Sequence, residues 1–118
     1  MVNGFPDAEI YQETGTTLKN PIIFAGFVGA GLVGTISVDY IINKLDMKEI
    51  GFLRSKHLPP STVFMQGRLR HPFRLYANDD GNICAIICEI IINREGLYTI
   101  ASAILDWAEE KGSNEIVI

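Results

Sequence analysis

The sequence predicts an α/β protein, and three observations carry that reading. Residues 22–27, Ile-Ile-Phe-Ala-Gly-Phe, form an apolar run rich in β-branched and aromatic side chains, and a glycine cluster and helical periodicity follow it. Two further strand-like runs flank Asn78-Asp79-Asp80-Gly81, a hairpin signal through Asp-Gly. A second helical stretch, 93–111, leads into the apolar segment 114–118. The 118 residues suffice for one domain and not for two. Hydrophobic residues make up 47% and charged residues 20%, which excludes a disordered tail, a collagen and a coiled coil. A chain of this length buries roughly two thirds of its unfolded surface, so its core needs no disulfide or metal.

Taken in order, residues 1–20 are polar and mixed, with Gly4, Pro6 and a Thr14-Gly-Thr-Thr17 cluster, and read as a lead-in strand or arm. Residues 22–27 are a buried strand. From Ala30 to about Lys44 the period becomes helical, and Val33, Ile36, Ser37, Tyr40, Ile41 and Leu45 are expected to share the buried face. Strand, glycine turn and helix make the start of a βα unit. Residues 49–54 and 61–66 read as short strands, the latter after the Leu58-Pro59-Pro60 stop, where proline fixes an extended entry. The hairpin pairs 74–77 with 82–91. In the second helix Leu97, Ile100, Ala101, Ile104, Leu105 and Ala108 are expected to face the core with Trp107 at its edge, and Gly112 stands where a helix-ending glycine belongs. Residues 114–118 resemble an inner strand of an α/β sheet. The chain is therefore expected to be either a single α/β domain over 1–118 or the N-terminal part of a longer one.

Charge narrows the partners. Ten Lys and Arg against fourteen Asp and Glu give a net charge of −4, and the pI is near 5.0. Nucleic-acid binding needs a basic footprint to replace counterions on phosphate. The nearest thing is Arg68, Arg70, His71 and Arg74, enough to hold one anionic group but no basic face. Residues 20–38 carry no charge, yet Pro21, Gly26, Gly29, Gly31, Gly34, Thr35 and Ser37 argue against a membrane span. No cationic segment opens the chain as in a secretory signal. Cys84 and Cys88 sit four residues apart on one strand, about 13 Å, beyond disulfide reach. They read as small core hydrophobes in a reducing, cytoplasmic setting, and no metal site is expected.

Gly29-Ala-Gly31-Leu-Val-Gly34 matches GxGxxG between a strand and a helix, the context of a dinucleotide site. Against this, Glu49 precedes the second strand, whereas the ribose-binding acid belongs at its end, where Arg54 stands. The loop has no Lys-Ser or Lys-Thr, so it is no P-loop. The other reading is a tight turn with close helix–strand packing, which glycine permits because it lacks Cβ.

The wider stretch Pro21-Ile-Ile-Phe-Ala-Gly26-Phe-Val-Gly-Ala-Gly31-Leu-Val-Gly34 resembles the glycine-rich signature of the archaeal-type proteasome assembly chaperone family, with Val28 at the usual proline. Three further stretches agree in order: His57-Leu-Pro59-Pro60-Ser-Thr-Val63; Gly67-Arg-Leu-Arg-His-Pro72-Phe-Arg-Leu-Tyr76; and Glu95-Gly96-Leu-Tyr98 through Trp107 to Ile118. The chain resembles the family's N-terminal half. The resemblance implies a three-layer α/β/α fold with a mixed sheet, phosphorylase/hydrolase-like. It implies a non-enzymatic, oligomeric chaperone assisting assembly of the proteasome or a similar complex. Its partners would be itself and proteasome α subunits, with no cofactor, nucleic acid or membrane. Some members dock proteasome α subunits through a C-terminal hydrophobic-Tyr-x tail, which Ile116-Val-Ile118 does not reproduce. The alternative is a phosphorylase-like or nucleotide-binding α/β enzyme using the 26–34 loop, with Gly29, Gly31 and Gly34 at the ligand.

The candidate interaction loop therefore comprises Gly26, Phe27, Gly29, Gly31, Gly34, His57, Pro59, Pro60, Arg68 and Arg70. No catalytic residue is assigned. Glu89, at the end of an apolar strand, is the most interesting acid, read as facing water or paired with Arg94. The apolar strand 115–118 predicts self-association with that strand near the interface, unless the N-terminal arm folds back over it.

Overall fold

The computed structural model describes residues 7–13, 15, 17–28, 33–58, 63–65 and 68–118. Among them, eight strands and two helices follow in the order β1 (Glu9–Gln12), β2 (Ile22–Phe27), α1 (Val33–Lys44), β3 (Lys48–Arg54), β4 (Val63–Met65), β5 (Arg68–Arg70), β6 (Phe73–Ala77), β7 (Ile83–Cys88), α2 (Arg94–Glu110) and β8 (Glu115–Val117). Six strands make one sheet in the order β1-β3-β6-β7-β2-β8, and β4 and β5 make a separate two-stranded ribbon. The sheet is mixed. β7, β2 and β8 run parallel, while β1, β3 and β6 join by antiparallel pairing.

Strand alternation builds two cores on this sheet. β7 sends Cys84, Ile86 and Cys88 to one face, with Ile23 and Ala25 of β2, Phe73 and Leu75 of β6, and Ile100, Ile104 and Trp107 of α2. Its Ala85 and Ile87 point the other way, to Val38 and Ile42 of α1. The helices therefore cover opposite faces, a three-layer α/β/α arrangement. The Asp-Gly hairpin forms as the sequence predicts, but its second strand ends at Cys88 and not at residue 91. Gly81 adopts φ +74°, and the Asn78 side-chain oxygen accepts from the backbone N–H groups of Asn82 and Ile83, both at 3.1 Å. α2 is capped at both ends. Asn93 Oδ1 accepts from Gly96 N–H at 2.7 Å. At the other end Gly112, φ +78°, and Ser113 donate to the carbonyls of Glu109 and Ala108, the paired bonds of a Schellman motif.

The structure differs from the sequence reading in several places. α1 is rotated: Val38 and Ile42 are buried, whereas Ile36 and Tyr40 are 64% and 65% exposed. The cause is the approach of α1 to β2 at Gly34, where a Cβ on Gly26 would lie 2.8 Å from the Gly34 carbonyl carbon and from Val38 Cγ2. That contact fixes which side of the helix meets the sheet. In α2, Trp107 lies in the core and donates from Nε1 to Gln12 Oε1 at 3.3 Å, while Leu97, Ala101 and Leu105 are exposed. Residues 68–70 form a strand that the alternation of charge concealed. β8 pairs with β2 alone among the described residues, so it lies at the edge of the sheet.

Candidate functional site

The parallel strands β2 and β7 end on one rim, and the sequence-predicted residues gather there only in part. Gly26 and Phe27 close β2, and the Phe27 ring stands edge-on to Phe73, centroids 5.8 Å apart. Gly34 lies against Gly26 at the start of α1. His57 reaches the rim from the far side of the sequence. Its backbone N–H donates to Ser55 Oγ at 3.0 Å, and a Cβ on Gly96 would lie 2.6 Å from His57 Cβ, so glycine in the first turn of α2 makes room for it. Gly29, Gly31, Pro59 and Pro60 lie outside the described residues. The backbones of Arg68 and Arg70 belong to β5, paired with β4 and outside the main sheet.

The rim's charge centre is Arg74, which is 1% exposed. Its Nε donates to Tyr76 Oη at 2.9 Å and its Nη1 to the His71 carbonyl at 2.8 Å. Its Nη2 pairs with Glu89 Oε1 at 2.5 Å. Burial works against the guanidinium charge, but the Tyr76 bond and the Glu89 carboxylate outweigh it and hold Arg74 above its ordinary pKa. Two expectations change here. Glu89 pairs with Arg74 across β6 and β7, where the sequence suggested Arg94 or water. And Arg74 is withdrawn from the cationic group 68–74, so those four residues do not act as one anion site. The reason is register: Arg74 stands opposite Ile87 on the face that α1 shares, one pair from the strand end where Glu89 begins.

Burial holds both thiols protonated at neutral pH. Cys84 and Cys88 are fully buried and free. Burial pushes Cys84 up to about 12 and Cys88 up to about 11, Cys88 also feeling its bond to the Ile90 carbonyl and the Glu89 charge. Among the described residues there is no group of three His, Cys, Asp or Glu placed to hold a metal ion. Among the described residues no helix is long and apolar enough to cross a membrane, and within the uncharged run 20–38 residues 22–27 form β2 while α1 begins at Val33.

Sequence reasoning missed a second cluster. Tyr11 of β1 stacks on Phe52 of β3 with centroids 5.3 Å apart, and Phe52 stacks on His71 at 3.9 Å and 4° between planes. The signal was present as period-2 spacing in two short strands, but only the register Tyr11↔Phe52 brings the rings together.

A mixed sheet between two helices, with its parallel strand ends opening on a shared rim, defines the class of the protein as a three-layer α/β fold. The PAC2 family model matches residues 23–118, and the chain belongs to that family. An uncharacterized protein of Methanocaldococcus jannaschii is 37% identical over 75 residues, 64% of this chain and 31% of its own length. A Thermoplasma acidophilum structure of unknown function superposes with TM-score 0.80 and 36% identity over 84% of this chain and 41% of that one. Pyrococcus furiosus PbaA, an archaeal homolog of proteasome-assembly chaperone, superposes with TM-score 0.81 and 27% identity over 92% of this chain and 43% of its own. Pyrococcus furiosus PbaB, an archaeal proteasome activator, shares the fold at TM-score 0.76 and 21% identity, over 93% of this chain and 49% of its own. The chain thus spans less than half the length of each of these proteins.

Proposed function

We propose that this chain is a non-enzymatic, self-associating, chaperone-like protein of the cytoplasm that assists assembly of the proteasome or a similar complex. The observation that carries this reading is the superposition on PbaA, an archaeal homolog of proteasome-assembly chaperone, at TM-score 0.81 over 92% of the chain. Membership of the PAC2 family over residues 23–118 supports it. The rim chemistry agrees. Glu89 at the rim is tied to buried Arg74, and the thiols are held protonated by burial. Capture from a native lysate with the tagged full-length protein tests the reading. Recovery of proteasome α subunits supports it, and their absence from a capture that retains other specific partners sinks it.

Self-association is the finer part of the proposal. β8 is open on its outer side among the described residues, and Leu105, 58% exposed, lines a groove with Ala108 and Ile116 beside it. Open strand edges and apolar patches recruit partners. Light scattering at micromolar concentration should give a mass above one chain. A single-chain mass throughout a dilution series contradicts it.

A further inference from the structure

We propose that a second copy of this chain docks on α2, helix against helix and antiparallel, with Ala101 at the crossing, Leu97 of each copy against Leu105 of the other, and Arg94 against Glu109. The inference deepens the self-association reading and rests on it, not on the identity of a client.

α2 carries two apolar rows. Ile100, Ile104, Trp107 and Ala108 form one and lie in the core. Leu97, Ala101 and Leu105 form the other, and their spacing of four residues sets them in line along one side of the helix. This second row faces out. Leu97 is 46% and Leu105 58% exposed, and Ala101 is exposed between them. Tyr98, 80% exposed, borders the row. A surface helix of a lone domain keeps its outer side polar, so this row is surplus to folding one copy. Leu105 also lines the groove that Ile116 of β8 borders, which makes the row continuous with the open β8 edge.

The pattern of the row selects its occupant. Ala101 stands at its middle, with a leucine about 6 Å along the axis on either side. Two such rows crossing antiparallel about Ala101 set leucine level with leucine twice, and the small side chain at the crossing lets the axes approach to about 8 Å. Charge follows the same two-fold axis. Arg94 lies seven residues before Ala101 and Glu109 eight after. In antiparallel copies the two therefore stand within about 2 Å of the same height. Both are exposed, and neither joins an ion pair among the described residues. A parallel pairing would oppose Arg94 to Arg94 and Glu109 to Glu109. The row is thus complementary to itself in one orientation, and each contact occurs twice, as an interface between identical chains requires.

The test follows the mass of the full chain by light scattering across a dilution series. Arg94→Glu alone and Glu109→Arg alone each set like charges at both ends of the contact and should weaken self-association about tenfold. Melting temperature should hold, because an acid near the start of α2 and a base near its end both suit the helix dipole. An equal mixture of the two variants restores opposite charges at both ends and should associate as the unaltered chain does. Ala101→Cys, on the two-fold axis, should link two copies by a disulfide under mild oxidation, and Glu110→Cys, on the other side of the helix, should not. Single variants that associate like the unaltered chain, or linkage no faster at Ala101→Cys than at Glu110→Cys, overturn the proposal and leave self-association through β8 standing. A single-chain mass for the unaltered protein at every concentration overturns both, while proteasome capture tests the chaperone reading independently.

Discussion

A buried guanidinium is costly unless its donors are met, and Arg74 meets them with Tyr76, the His71 carbonyl and Glu89. The same network ties the start of β6 to the end of β7, so it fixes the rim's geometry. Arg74→Met leaves the inward oxygen of Glu89 without its cation. We expect a loss of about 3 kcal/mol in urea denaturation, the low end for breaking a buried pair because Glu89 is itself 28% exposed. Arg74→Met with Glu89→Gln should recover part of that loss. The thiols predict a pH dependence of definite sign. An unfolded cysteine ionises near pH 8.5, whereas Cys84 and Cys88 stay protonated to about 12 and about 11. Above pH 8.5 the unfolded chain binds fewer protons than the folded one, so stability is whole below that pH and falls as pH rises toward 11. Each thiol contributes a slope of about 1.4 kcal/mol per pH unit in that window. Urea midpoints at pH 8 and pH 10 should separate, and Cys84→Ala with Cys88→Ala should narrow the gap.

At the scale of elements, α1 shows packing overruling periodicity. It carries apolar side chains on two opposite sides, Val38 with Ile42 and Ile36 with Tyr40. Only the approach at Gly26 and Gly34 says which side is inside. Gly26→Ala should cost about 1–3 kcal/mol, because the added methyl meets the Gly34 carbonyl and Val38. Ile36→Ser and Tyr40→Ser should each change stability by less than about 0.5 kcal/mol, as exposed positions do. A large loss at either would mean that the helix is turned the other way. α2 is specified locally at both ends. Asn93→Ala removes the side-chain acceptor for Gly96 N–H and should cost about 1 kcal/mol by thermal or urea melting.

At the scale of the whole molecule, the two helices divide the sheet unequally. The α2 core spans β3, β6, β7 and β2, whereas the α1 core rests on β7 and β2. That imbalance leaves the antiparallel end of the sheet, with Tyr11, Phe52 and Arg54, to face outward beside β1. It leaves the parallel end with β8 open at the opposite edge. Among the described residues the six-stranded sheet therefore has two edges of different surroundings, β1 beside the Tyr11–Phe52 stack and β8, with Ile116, beside Leu105. The β8 edge fits the proposed role in binding other chains, and light scattering addresses it.

Most of the elements could be read from local sequence, though not the strand at 68–70. Ile22–Phe27, the Asp-Gly hairpin, the span of α2 and its Asn93 and Gly112 ends follow from period, turn chemistry and capping, all of which act within a few residues. The burial of Cys84 and Cys88 on one face was legible for the same reason, since strand alternation needs no distant partner. The close approach of α1 to β2 was legible at Gly26 and Gly34, where glycine spacing marks it. Tertiary structure alone decided the rest. Which face of α1 is buried depends on a backbone contact between two elements. The partner of Glu89 depends on the pairing of β6 with β7, and the Tyr11–Phe52–His71 stack on three segments meeting across the sheet. The physical reason is common to all three. Period and capping are properties of one segment, whereas register and close approach exist only between segments separated along the chain.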